Sequence, residues 1–244
     1  MRTVIIGDIH GCDRAFAALL DATRIDPARD TLVLLGDILD RGPNAWGVYQ
    51  RVVQFSEIMG DRFVLLRGNH EAYWLQKNPT IAQKLLHSRV GRGSTIASFR
   101  EHGAELSECA RWIEAHSVLY YEQDAFQCAH AGVCVEPIEC NDPDVLLHDH
   151  SIVRENRYQG KLTITGHLAL REPAWFSGDG KNIQKLASRR EYELPRRGVI
   201  CIDTGCCMGG TLTAMAIEND RFMLFAVQER FIARLSALNR SFAR

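Results

Sequence analysis

In the first third of the chain, short apolar runs alternate with segments of helical spacing. T-V-I-I (3–6), T-L-V-L-L (31–35) and R-F-V-L-L-R (62–67) are aliphatic and β-branched, as strands are. A-F-A-A-L-L-D-A (15–22) and residues 45–55 repeat their apolar positions at helical intervals. Strand, helix, strand, helix, strand predicts β-α-β units and a parallel sheet. Strands without polar alternation fit a sheet covered on both faces. Residues 72–116 are predicted mostly helical, with a break at Asn78-Pro79 and a glycine-rich loop, V-G-R-G-S-T, at 90–95. From Ser117 onward the runs turn β-like: S-V-L-Y-Y, A-F-Q-C-A-H, L-T-I-T-G-H, V-I-C-I-D-T-G, T-L-T-A-M-A-I and R-F-M-L-F-A-V. Asn219-Asp220 between the last two predicts a hairpin. A second sheet packed on the first is expected. Residues 171–198 are polar and expected to form a long surface loop, and residues 229–242 a terminal helix. No internal repeat or boundary divides the chain, so residues 1–244 are expected to form a single domain.

Composition narrows the classes. The chain has 244 residues, 46% apolar and 24% charged, enough for one large α/β domain with a substantial core. A net charge of −1 offers no basic excess for nucleic acid or an anionic membrane. No apolar run approaches the ~18 residues of a transmembrane helix. The N-terminal residues do not form a signal peptide, and the expected compartment is the cytoplasm. The eight cysteines include no C-x-x-C pair, so a structural zinc site is not expected. In a reducing compartment they are expected as free thiols, with the adjacent Cys206-Cys207 the best candidate for redox chemistry. No long apolar stripe is left over, so a monomer is the default.

The chemistry lies just after the strands. The first run ends in G-D-I-H-G, with Asp8 and His10; the second in G-D-I-L-D-R-G, with Asp37, Asp40 and Arg41. The third ends in R-G-N-H-E, with Arg67, Asn69, His70 and Glu71. Later runs contribute His130, His167 and Asp203. Ligand sites of open α/β sheets form beyond the carboxyl ends of the strands. Hard oxygen donors mixed with imidazoles suit manganese, iron or zinc better than magnesium alone. Paired ions stabilise attacking and leaving oxygens in phosphoryl hydrolysis, and planar guanidiniums hold phosphate oxygens. Metals with arginines and no P-loop point to hydrolysis of phosphate esters. On residue type alone, His70 could be a metal ligand, a proton donor or a polar loop residue. Glu71 fits a helix cap, and Asp203 either supports a ligand or caps a strand end.

These motifs in series resemble the metal-dependent phosphoprotein phosphatases, the PPP-type Ser/Thr phosphatases, and in their compactness the small bacterial and phage members. The resemblance runs from residue 7 to about residue 217. It implies the calcineurin-like metallophosphoesterase fold, an α/β architecture with a central β-sandwich flanked by helices. It implies two divalent ions, manganese first with iron or zinc also fitting. Asp8, His10 and Asp37 would hold one ion and Asn69, His130 and His167 the other, with Asp37 bridging. Arg41, Arg67 and a later arginine would bind the phosphoryl group. Arg154, in L-L-H-D-H-S-I-V-R-E, matches the last of these, with Arg157 as a substitute; the expected tryptophan is missing and His148, Asp149 and His150 intrude. His70 would be the general acid, oriented by Asp40, while a hydroxide activated by two metal ions attacks in line. The implied substrate is a phosphoprotein or small phosphoester, of Ser/Thr or dual specificity.

A related activity, hydrolysis of diadenosine tetraphosphate, competes with this reading. The symmetrical hydrolases of that kind usually depart from D-R-G in the second motif and have Asp after G-N-H. Asp40 and Glu71 therefore favour the phosphatase. An inactive phosphate-binding scaffold would have lost a ligand or the acid, and none is lost.

Overall fold

The computed structural model describes residues 2–229, so the terminal helix expected over 229–242 lies, beyond its first residue, outside the described residues. The first half runs β1 (Thr3–Ile6), α1 (Asp13–Thr23), β2 (Thr31–Leu34), α2 (Ala45–Met59), β3 (Phe63–Leu66), α3 (Asn69–Leu75), α4 (Ile81–Arg89), α5 (Arg92–Glu101), α6 (Leu106–His116) and β4 (Ser117–Val118). Then come β5 (Tyr120–Glu122), β6 (Gln127–Ala129), α7 (Pro143–His148), α8 (Ser151–Arg154) and β7 (Thr163–Thr165). The chain continues through β8 (Ala174–Phe176), β9 (Ile183–Lys185), β10 (Glu191–Glu193), β11 (Val199–Cys201), β12 (Thr211–Glu218) and β13 (Arg221–Gln228).

Two sheets form. The first has seven strands in the order β10-β13-β12-β1-β2-β3-β4, the second six in the order β5-β6-β7-β11-β8-β9. β1, β2, β3 and β4 are parallel neighbours, with Thr3 opposite Thr31 and Val33 opposite Val64. β12 returns antiparallel to β1 and pairs with β13 across the Asn219-Asp220 hairpin. Alternate residues of β1 and β2 point to opposite faces. Ile5, Val33 and Leu35 pack inward against Phe126, Cys128, Ile164 and Ile200 of the second sheet. Val4, Ile6, Leu32 and Leu34 face outward onto Phe16, Leu19, Val48, Val52 and Ile113 of the helices. Both faces of the parallel strands are thus covered, which is why they carry no polar alternation.

Two expectations need correction. The 171–198 segment is not one loop: it contains β8, β9 and β10, which extend both sheets. The glycine-rich stretch after residue 90 is helical from Arg92, with Gly91 turning the chain at φ 112° and α5 burying Thr95, Ser98 and Phe99. All eight cysteines are free. No helix among the described residues is long and apolar enough to cross a membrane.

Candidate active site

The carboxyl ends of β1, β2 and β3 meet those of β6, β7 and β11 at one edge of the sandwich. Each strand hands its next residues to that edge, and the turns there are tight. His10, Asp37, Asp40, Arg41 and His167 all hold positive φ, between 46° and 67°. Non-glycine residues rarely adopt this conformation, and it clusters where the surroundings enforce a functional geometry. Two glycines permit the closeness. A Cβ on Gly68 would stand 2.1 Å from Asp37 Oδ1, and one on Gly166 would stand 2.1 Å from Asp8 Oδ1.

Six polar side chains converge there. His10 gives Nδ1–H to the Leu39 carbonyl at 2.8 Å. That leaves the Nε2 lone pair buried without a hydrogen-bond partner, 3.4 Å from Asp37 Oδ2. His130 gives Nδ1–H to the Leu35 carbonyl, and its Nε2 faces Asn69 Oδ1 at 3.0 Å and Asp37 Oδ2 at 3.6 Å. His167 Nδ1 lies 3.1 Å from the same Asn69 oxygen. A backbone carbonyl only accepts, so Nδ1 of His10 and of His130 carries the proton and Nε2 of each is a lone pair turned toward Asp37 Oδ2. Lone pairs converging on one carboxylate oxygen are an arrangement that a cation resolves. Asp8 accepts the His167 amide at 3.1 Å on both oxygens. Burial first, then repulsion from Asp203 and Asp37, pushes the Asp8 carboxyl well above the usual range; burial and Glu71 do the same for Asp37. Positive charge would relieve both. The donor set therefore fits two divalent ions sharing Asp37.

His70 stands apart. Its Nε2 is 3.9 Å from Asp37 Oδ2, close enough to join His10 and Asp37 as a geometric cluster. Both its nitrogens are engaged elsewhere, however. Nδ1 donates to Asp40 Oδ2 at 2.8 Å, and Nε2 faces Arg41 Nη2 at 3.1 Å. Burial first, with the Arg41 and His87 charges, lowers the His70 pKa against the raising effect of Asp40.

Asp40 is fully buried and receives four donors. Oδ2 takes His70 and His87, and Oδ1 takes Trp74 Nε1 at 3.1 Å and Thr95 Oγ1 at 2.8 Å. Glu71 caps α3 as expected, through Gly68 N, but its carboxylate also takes the amides of Asp37, Ile38 and Leu39. Asp203 is buried near Asp8 and accepts the Gly205 amide. Arg67 lies at the end of β3 with its Nε on Ser117 Oγ. Arg154 closes α8 with its side chain in solvent, and Arg157 is also exposed. The two intruding histidines of that segment lie against residues of the site. His150 lies 5.6 Å from His167 between ring centroids, and His148 lies 6.3 Å from Tyr73. No pattern in the sequence marks His87, Trp74 or Thr95, which come from three different helices.

The profile of the calcineurin-like phosphoesterases matches residues 1–186, and the chain belongs to that family. Its architecture also resembles a crystal structure of a metallophosphoesterase from Sphaerobacter thermophilus: TM-score 0.64, 17% identity, 94% of this chain and 90% of that one. Among curated proteins, it is 28% identical to a symmetrical bis(5'-nucleosyl)-tetraphosphatase of Edwardsiella ictaluri, over 96% of this chain and 98% of that one. It is 25% identical to the protein of that name in Pseudomonas fluorescens, over 89% and 92%. These relatives carry the name of a nucleotide hydrolase and not of a protein phosphatase. The residues that favoured the phosphatase in the sequence do not decide between the two substrates. Asp40 and Glu71 are both fully buried and spend their oxygens on protein donors, so neither is placed to read a substrate.

Proposed function

We propose that this protein is a metal-dependent hydrolase of dinucleoside polyphosphates that cleaves them symmetrically. Hydrolysis is supported by the convergence of Asp8, His10, Asp37, Asn69, His130 and His167 on one edge, with Asp40 and His70 beside them. The substrate class is supported by similarity over nearly the whole length of relatives that carry that name. Asp8, His10 and Asp37 would hold one ion, and Asn69, His130 and His167 the other, with Asp37 shared. Bound divalent ions would neutralise phosphate charge and make water acidic enough to attack at neutral pH.

The chain's own groups do the rest. Arg41 and Arg67 bind phosphate oxygens, since a guanidinium stays charged and presents a planar fork. Arg41 Nη2 sits on His70 Nε2 in this arrangement. A phosphate that draws the guanidinium away frees that nitrogen to carry a proton. His70 then protonates the leaving oxygen while Asp40 holds Nδ1–H and stabilises the imidazolium. His148 and His150 lie beside Tyr73 and His167, and the exposed Arg154 is the third candidate for phosphate.

A second reading, a phosphomonoester or Ser/Thr protein phosphatase, is favoured by the motif series from Gly36 to Glu71. One experiment separates the two. Protein supplemented with manganese is given diadenosine tetraphosphate, a phosphoserine/phosphothreonine peptide and a phosphotyrosine peptide in parallel. Fast conversion of the dinucleotide to ADP alone, with slow peptides, is the expected result. Fast peptides with an inert dinucleotide would replace the proposal by the second reading. The acid role has its own test. His70→Asn is expected to keep metal binding and lose turnover by roughly 10²–10⁴, more on phosphoserine than on nitrophenyl phosphate, whose leaving group needs less protonation. Equal losses on the two esters would count against it.

A further inference from the structure

His87 is the sole buried residue of α4, a helix that otherwise leaves Ile81, Leu85 and Leu86 in solvent. Its ring meets Trp74 edge-on, 4.6 Å between centroids, and Tyr73 at 5.4 Å. Its Nε2 lies 2.9 Å from Asp40 Oδ2, the oxygen that also takes His70 Nδ1 at 2.8 Å. An ionised carboxylate only accepts, so both imidazoles donate to that one atom. Asp40 Oδ1 is tied separately by Trp74 and Thr95. The carboxylate is thereby prevented from rotating about its own bond, and the oxygen left for His70 is shared.

We propose that His87 is a positioning residue for the Asp40–His70 pair: through Asp40 Oδ2 it fixes the orientation of the His70 ring and limits how strongly Asp40 can hold it. His87 touches neither the phosphate-binding arginines nor the convergent metal-type ligands. Its hydrogen bond to the pair runs through Asp40, and its ring also packs on Tyr73, which meets the His70 ring at 5.9 Å. A bland alternative is that His87 only fastens α4 to the body. The two differ in what they predict for His70. A fastening residue leaves the His70 ring as it was, and a positioning residue does not.

The inference rests on the reading of His70 as proton donor, and the test is arranged so that the two can fail separately. Full-length protein labelled with ¹⁵N-histidine is prepared as wild type, His87→Leu and His87→Gln. Glutamine keeps a terminal N–H at about the reach of the imidazole Nε2. The ring signals of His70, assigned by their loss in His70→Asn, are expected to move in H87L and return toward wild type in H87Q. Ring signals unchanged in H87L would overturn the proposal, whatever the effect on stability. Kinetics on phenyl phosphate and dinitrophenyl phosphate with manganese add a second readout. H87L is expected to lose about tenfold in kcat on the phenyl ester, less than the loss in H70N, with KM within about twofold and the dinitrophenyl ester nearly unaffected. Equal losses on both esters, not recovered in H87Q, would also count against positioning. If H70N itself is indifferent to the leaving group, the acid reading fails, while the ring signals still decide whether His87 orients His70. Should H87L not fold, H87N, whose amide is too short to reach Asp40, takes its place under the same criteria.

Discussion

Glu71 shows how much one buried side chain can organise. Its Oε2 accepts the amides of Asp37 and Gly68, and its Oε1 those of Ile38 and Leu39. The carboxylate thus ties the loop after β2 to the start of α3, and it holds Asp37 in its strained φ of 50°. Glu71→Gln would turn an amide NH₂ toward two backbone N–H groups. A loss of about 2–4 kcal/mol is expected, the cost of leaving buried donors unpaired, and urea unfolding would measure it. An unchanged midpoint would mean that the four amides find other acceptors. Asp40 makes a different prediction, through pH. Burial would raise its pKa, but hydrogen bonds from His70, His87 and Thr95 outweigh burial and hold it below the usual carboxylate range. A folded pKa below the unfolded one contributes stability that is complete above the unfolded value, about 3.9, and lost as pH falls through the folded value. The stability gap between wild type and Asp40→Asn should therefore be full at pH 6 and narrow below about pH 4. A gap that stays constant down the acid limb would contradict this account of Asp40.

At the scale of elements, legibility followed how locally each signal is written. β1, β2 and β3 were readable because each is an apolar run stopped by glycine and a polar residue, and the same stops delivered Asp8, His10, Asp37, Asn69 and His70 to one edge. The β12–β13 hairpin was readable from Asn219-Asp220, where Asn219 holds φ 57°. That conformation gives a test of the element. Asn219→Val should cost about 1–2 kcal/mol, because a β-branched residue is poorly tolerated there, while Asn219→Gly should be close to neutral. Thermal melts of the two variants that coincide would exclude the left-handed turn. β8, β9 and β10 were missed because each has only three residues and Ile183 faces solvent, so no period appears. The start of α5, residues 92–95, was read as loop because glycine at 91 and 93 signals one, while Thr95 and Phe99 buried against the helical layer decide otherwise. The ring of donors around Asp40 was invisible for a third reason. Its members lie 30, 34, 47 and 55 positions away, on α3, α4 and α5, and only tertiary packing joins them.

On the scale of the whole molecule, the site is a seam. Asp8, His10, Asp37 and Asn69 come from the first sheet's edge, His130, His167 and Asp203 from the second's. Three buried carboxylates, each with its pKa raised first by burial, face one another across that seam. The apolar core joins the two sheets, but at this edge their carboxylates repel one another, and cations held by residues of both sheets would relieve that repulsion. Divalent ions should therefore act as a clasp on the fold as well as a reagent. A ligand that binds only the folded chain stabilises it by about 2.7 kcal/mol at a hundredfold excess over Kd. For a domain of this size each kcal/mol moves Tm by about 2–4 °C. Removing metal with a chelator should thus lower Tm by about 5–10 °C, and returning manganese should restore it along a saturating curve. Asp37→Asn, which weakens the shared position, should flatten that curve more than Asp203→Asn. A Tm indifferent to chelation and to added manganese would mean that the seam closes without cations, and the assignment of Asp8, His10, Asp37, Asn69, His130 and His167 as metal ligands would fall with it.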